Sequence, residues 1–581
     1  MQRVLGTVAG AVVVAALLTP ATTAAASVAP SRAHGPLGGA AALERVSGHL
    51  PAAAARNRMS ATQLRGLLLR DRTARLDEAD RLLYVDAHTP APVTAATRTT
   101  AAATYPYAQT FALHSRPGAS RVIYLDFDGE VVQGTAWNSS GGLSTARQPA
   151  FDTDGDPSSF SDAERALVQS VWERVSEDYA PFEVDVTTAA PTAAALQRST
   201  STDTTYGTRV LISPSAEAFS KLCPQSCGGV AYVGMFDAVQ PDASTSTPAW
   251  VFPQVLYGDA KYLAEAVSHE AGHTLGLQHD GTATADYADG QGAWAPIMGT
   301  GYGRPVTQWS MGEYEGADNR QDDVAVMSGH GLPVRTDDHG DTPAAATKLA
   351  LPATATGVIS ARGDQDAFTF TSTCAGTVAV SARPALSGPD LDVRLRLIGP
   401  DGRVAAADDP VSSMSSYEAA RGLAAAISTS APAGTYTVEV DGVGAQDPLS
   451  TGYSDYASLG SYSLDVSACV APAAAPVTAP SAPRIGTAVA GTAGGAVTAK
   501  ATWSAPTSTG SSAVTGYVVR ALRLSSTGTV LSTTTSARQP ATARALSMTV
   551  PTAGSYRFTV TAISAAGSSA RSARSNLVAG R

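Results

Sequence analysis

The sequence predicts a multidomain chain: one α/β domain, a twisted mixed sheet plus one helix that carries the chemistry, followed by two all-β sandwich domains. Three observations predict it. At 581 residues the chain is too long for a single hydrophobic core. Between residues 117 and 333, strand-like runs are interleaved with two helical patterns, which is an α/β order. From residue 336 onward only short alternating strands recur, divided by an Ala/Pro-rich linker at 471–480.

The first element is an address. Arg3 and the apolar Val8–Leu18 run match the charged and hydrophobic parts of a secretory signal peptide, with cleavage expected after Ala26. A membrane anchor would need about 20 apolar residues, more than this run offers. Residues 27–104 read as a pro-segment, with an ordinary N-terminal domain as the alternative. Ser60 and Gln63 form a capping-box pattern that opens a helix through Leu69, and Leu82–Val85 has strand character. A low-complexity Thr/Ala run from Pro90 to Thr104 closes the segment.

Within 117–333, strands are expected at Arg121–Leu125, Phe182–Val186, Arg209–Ile212, Val230–Val233 and Trp250–Phe252. Ser161 and Glu164 form a second capping box. Behind it Val168, Val171, Trp172, Val175 and Tyr179 recur on one helical face, and a further helix begins near Lys261. Asp152-Thr153-Asp154-Gly155-Asp156 places glycine and aspartates out of EF-hand register, so a solvated turn is expected, with calcium as the alternative.

The net charge of −10 excludes the basic surface that a nucleic-acid partner requires. No later segment is long and apolar enough to span a bilayer. In an exported chain the four cysteines are expected to pair as Cys223–Cys227 and Cys374–Cys469, the second pair bracketing the first and last strands of one later domain. Cross-pairing is one alternative. A structural zinc on four thiolates is another, disfavoured by the spacing.

The chemistry is concentrated in His269-Glu270-Ala271-Gly272-His273-Thr274-Leu275-Gly276-Leu277-Gln278-His279, which holds three of the chain's nine histidines. On a helix, His269 and His273 leave from one face, one turn apart. Gly276 tolerates the backbone angles that stop the helix and bring His279 round as a third ligand. Three nitrogen donors leave the fourth tetrahedral position for water, the pattern of a catalytic zinc. Glu270, beside the first ligand, is placed to act as general base.

This extended motif, followed by Pro296-Ile297-Met298-Gly299, resembles the metzincin clan of zinc metallopeptidases, and Asp280 directly after the third histidine is similar to its reprolysin (adamalysin-like) branch. The resemblance covers residues 117–333. It implies a metzincin-like α/β catalytic domain of two lobes with zinc in the cleft, Met298 as an apolar floor and Asp280 bracing the turn. It also implies that Gly229, Val230 and Ala231 form an edge strand against which a peptide lies antiparallel; a plain core strand is the alternative. Some members add a tyrosine ligand two residues after the methionine. That place is Thr300 here, so Tyr302 is expected to line the cleft without ligating. No cysteine precedes Cys223, so latency through a pro-segment thiolate is excluded, leaving steric blocking or another donor.

In residues 336–470, Asp337-Asp338-His339-Gly340, Gly363–Phe368 and Ala433–Tyr436 resemble the bacterial pre-peptidase C-terminal domain, with His339 an exposed turn residue. In 481–581, Trp503, Gly516–Val519, Tyr556–Val560 and Ala565–Gly567 resemble a fibronectin type III domain, with Trp503 and the tyrosines as core and corner residues.

These readings predict a secreted, monomeric zinc metalloendopeptidase acting on extracellular proteins or peptides. Its accessory domains would space the enzyme or hold extracellular polymers or a cell surface. Two rivals are an inert metallopeptidase domain whose C-terminal modules do the binding, and a zinc hydrolase of cell-wall amides. The intact Glu270 disfavours the first and the peptide-edge strand the second.

Overall fold

The computed structural model describes residues 35–87, 90, 103–471 and 475–581; the expected signal peptide and most of the Thr/Ala run lie outside them. The chain divides into two units, residues 1–470 and 471–581. Among the described residues no helix is long and apolar enough to cross a membrane.

The first unit is built on an eight-stranded sheet: β1 (Leu37–Gly38), β2 (Ala74–Leu76), β3 (Leu82–Val85), β4 (Arg121–Asp126), β5 (Asp185–Thr187), β6 (Tyr206–Ile212), β7 (Gly229–Tyr232) and β8 (Ala249–Val251). Their spatial order is β1-β2-β3-β7-β8-β6-β4-β5. The β5-β4-β6-β8 block is parallel, β7 runs antiparallel to β8, and β3, β2 and β1 continue antiparallel outward from β7. Phe182 falls outside β5 and bridges Val334 instead.

The capping boxes form where expected, Ser60 with Gln63 opening Ala61–Arg70 and Ser161 with Glu164 opening Asp162–Asp178. The apolar stripe of the long helix Asp162–Asp178 enters one core with Ile123, Leu125, Val210 and Ile212. Packed into the same core is the site helix, Ala260–Thr274, N-capped by the Asp259 side chain. Every residue from Lys261 to Thr274 except Glu265 is buried, as expected of a helix covered on all sides.

Residues 336–470 form a two-sheet sandwich of nine strands, one sheet centred on Gln365–Ser372 and Gly434–Gly442, the other on Gly376–Pro384 and Gly460–Ser467. Cys374 and Cys469 are bonded, with Cα atoms 5.3 Å apart. The expected bracket of first and last strands is corrected at one end. Thr347–Lys348 and Ala353–Ile359 precede Cys374, which sits in the turn after Gln365–Ser372. His339 is corrected as well: half-buried, its ring nitrogens bond the Thr347 hydroxyl and the Thr356 carbonyl, tying strands together.

This sandwich docks on the site domain through buried acids at the C-terminus of the long helix. The Glu177 carboxylate accepts the Ser461 N–H at 2.8 Å and its hydroxyl at 2.6 Å. Burial pushes Glu177 up to about 7, and burial, then like charge, holds neighbouring Asp178 and Asp390 well above the usual carboxylate range. A carboxyl raised by folding binds more protons folded than unfolded, so its stabilisation is complete below the ordinary range and is lost as pH rises through 7. The first unit is therefore expected to melt several degrees higher at pH 6 than at pH 8, at about 2–4 °C per kcal/mol. Calorimetry should show Glu177→Gln flattening that slope.

The second unit, from residue 475, is a smaller sandwich with Thr498–Ser504 central to one sheet and Val514–Leu524 and Gly554–Ser564 to the other. Trp503, Tyr517, Val519, Tyr556 and Phe558 fill its core. The Tyr556 hydroxyl donates to the Thr552 carbonyl four residues upstream, a tyrosine corner.

Candidate metal centre

His269 and His273 face one way from the site helix, and the chain then leaves it at Gly276, whose φ is +93°. A side chain is excluded there twice: the angle is left-handed, and a Cβ would lie 2.4 Å from His330 Nε2. The turn delivers His279, so the three ring centroids stand 4.7, 4.8 and 5.2 Å apart. Each ring is oriented through Nδ1: His269 donates to the Ile297 carbonyl at 2.8 Å, His273 to the Leu277 carbonyl at 2.8 Å, and His279 to Asp71 Oδ2 at 2.9 Å. All three Nε2 atoms are thereby turned toward one point, as such outer partners do for metal-ligating imidazoles.

Glu270 and Gly229 are coupled by size. A Cβ on Gly229 would come within 2.0 Å of Glu270 Oε1, so only glycine in β7 leaves the carboxylate its place. Burial, followed by the charge of Asp86, holds Glu270 well above the ordinary range. Met298 is fully buried beneath the helix, its Sδ 2.8 Å from where a Cβ on Gly272 would stand. Asp280 fixes the turn through its backbone, donating to the Met298 carbonyl at 2.8 Å and accepting from Ala288 at 2.7 Å. Its carboxyl, buried, is pushed up to about 7. Thr300 spends its hydroxyl on Asp289 Oδ1 at 2.8 Å, away from the histidines. Tyr302 packs edge-on against Tyr262, close enough to Asp86 and Glu270 to feel their charge.

Four residues missed by sequence reading surround the histidines, three of them from residues 71–86. Asp86 follows β3 directly and joins His269, His273 and His279 as a group whose ligand atoms all lie within 4.8 Å of one another. Asp71 orients His279, the Tyr84 ring stacks on His273 at 4.4 Å, and the Tyr287 hydroxyl donates to Asp86 Oδ1 at 3.1 Å. The available signal was an acid at the end of a strand-like run; nothing local tied it to the histidines. The Gly229–Ala231 strand, expected at a sheet edge, is interior in the full chain because β3 pairs with it.

The donor set fits a divalent cation. His269 Nε2, Asp86 Oδ2 and Glu270 Oε2 are buried without a hydrogen-bond partner among the described residues, against the general rule that buried polar atoms are paired. His273 Nε2 and His279 Nε2 stand 3.1 Å apart, and His279 Nε2 lies 2.9 Å from Asp86 Oδ1, so potential donor atoms crowd one point. Burial pushes His279 down, but Asp71 and Asp86 outweigh it and raise the ring to about 10, a measure of the negative field waiting for a cation.

Asp152, Asp154 and Glu164 also converge. Their oxygens are engaged locally: Asp152 accepts the Asp154 and Gly155 N–H groups, and Glu164 accepts Thr153 and Ser161. The Cys223–Cys227 bond closes the loop before β7, with Cα atoms 5.4 Å apart.

No protein-family model matches the chain, and no curated protein does. Among solved structures it is similar to the pre-peptidase C-terminal domain of a Bacillus anthracis collagenase, at 19% identity over 22% of this chain and 99% of that one, TM-score 0.15. It is also similar to a Fn3-like protein from Clostridium thermocellum, at 27% identity over 17% and 93%, TM-score 0.14. A third is titin kinase with its flanking domains, at 22% identity and TM-score 0.14, where the match covers only 17% of each chain. None of the three bears on the metal site.

Proposed function

We propose that the chain is a secreted zinc metalloendopeptidase of metzincin type that cleaves extracellular proteins. The reading rests on one observation: three Nε2 atoms turned to a single point, with the Glu270 carboxylate alongside. His269, His273 and His279 would hold the ion. When bound, zinc polarises the scissile carbonyl and acidifies the attacking water. Glu270 takes the proton of that water and passes it to the leaving amine nitrogen. Once β3 is released, Gly229, Val230 and Ala231 offer backbone groups to an extended peptide, independent of its sequence. Tyr302 lines the cleft, and Met298 and Asp280 keep the third ligand in position. The two disulfides and the absence of a spanning helix among the described residues are compatible with an extracellular life.

Casein hydrolysis by the processed protein tests this. Activity should vanish with a chelator and return with zinc. His279→Ala should lower zinc affinity by more than about 100-fold, beyond the cost of losing an outer-shell partner, as read by competition with a chromophoric chelator. Unchanged metal affinity would remove His279 from the ligand set, and chelator-resistant hydrolysis would refute the zinc reading.

A further inference from the structure

The strongest unexplained feature is a carboxylate from far upstream at the metal position. β3 lies antiparallel to β7, pairing Leu83 with Tyr232, Tyr84 with Ala231 and Val85 with Val230. The ladder runs on to Asp86, whose N–H donates to the Gly229 carbonyl at 3.1 Å and whose carbonyl accepts from Gly228 at 2.9 Å. That is where the proposed function puts the substrate. Asp86 Oδ2 then stands 3.4 Å from His269 Nε2 and 3.5 Å from His273 Nε2. Ligands about 2.0–2.2 Å from a tetrahedral zinc are separated by roughly 3.4 Å. Asp86 therefore stands at the fourth corner, the one that water must occupy for hydrolysis.

We propose that, in the full-length chain, Asp86 is the fourth protein ligand of the metal and holds the enzyme latent. This rests on His269, His273 and His279 being the other three. β3 fills the substrate ladder, Tyr84 covers His273, and Asp71, two residues before Thr73, steadies the third ligand through Nδ1. A side-chain carboxylate, instead of a peptide carbonyl, faces the metal, so the pro-segment occupies the cleft without presenting a bond for cleavage. It does the work that a pro-segment cysteine would do, in a chain that has none before Cys223.

Cobalt-substituted full-length protein tests the proposal, in a Glu270→Gln background so that the chain stays uncut. A built-in ligand competes at high effective concentration. Azide should therefore bind on the order of 10²-fold more tightly to Asp86→Asn and Asp86→Ala than to the parent, read from the cobalt visible spectrum. Asp86→Asn is nearly isosteric and keeps the strand pairing, so the pair of variants separates ligand loss from misfolding. Stoichiometric cobalt with the same azide affinity in parent and variants would overturn Asp86 as ligand while leaving the three histidines intact. Cobalt absent from parent and variants alike would overturn the metal reading itself.

Discussion

Glu270→Gln should leave the metal bound and lower peptide hydrolysis by about 10²–10⁴-fold, the range for loss of a positioned general base. The amide keeps the shape of the carboxylate, and Glu270 is absent from the four-residue ligand group, so stoichiometric zinc is expected. What is lost is the capacity to accept a proton from water and return it to the departing amine. The loss should fall on kcat, with KM little changed, because the β7 ladder proposed to hold the peptide is untouched. Parent and variant must be freed of the pro-segment by the same external protease, since the variant cannot process itself. Near-parental kcat with full zinc would remove Glu270 from the mechanism.

The three histidines, Glu270 and Gly276 were legible in the sequence because a helix and one turn bring them together, and both are local. Met298 was legible by resemblance. Asp86 was not. The strand it follows was readable, but β3 pairs with β7 across more than a hundred intervening residues, and strand partners are set by tertiary packing. Glu177 and Asp178 were hidden for another reason: on an amphipathic helix, acids off the apolar stripe read as a wet face. Ser461 of the docked sandwich covers Glu177, and Ser268 of the site helix donates to the buried Asp178 carboxylate. In that sandwich, Ala353–Ile359, Val404–Asp408 and Ala425–Ala431 carry no strand signal of their own. Their Ala and Ser content carries little strand propensity, and paired neighbours impose the conformation.

Gly229→Val tests the same chemistry from outside the motif. Valine suits a strand, so the backbone itself raises no objection. The obstruction is one of space: a Cβ at 229 meets Glu270 at Oε1, Cδ and Cγ, at 2.0, 2.5 and 2.6 Å, and these atoms belong to the group that must hold the proton. The carboxylate has to swing away, and an ångström of misplacement is worth about 10² in rate. Overpacking should cost about 1–3 kcal/mol of stability, and zinc should remain because the atoms nearest the new Cβ belong to Glu270, which lies outside the ligand group. The expected signature is thus a loss of kcat on the order of 10²-fold, with full metal and a melting point lowered by a few degrees. Gly229→Ala places the same offending Cβ with less bulk behind it and should fall in the same direction. If both variants cleave casein at the parental rate while carrying zinc, Glu270 does not act from the position it holds beside β7.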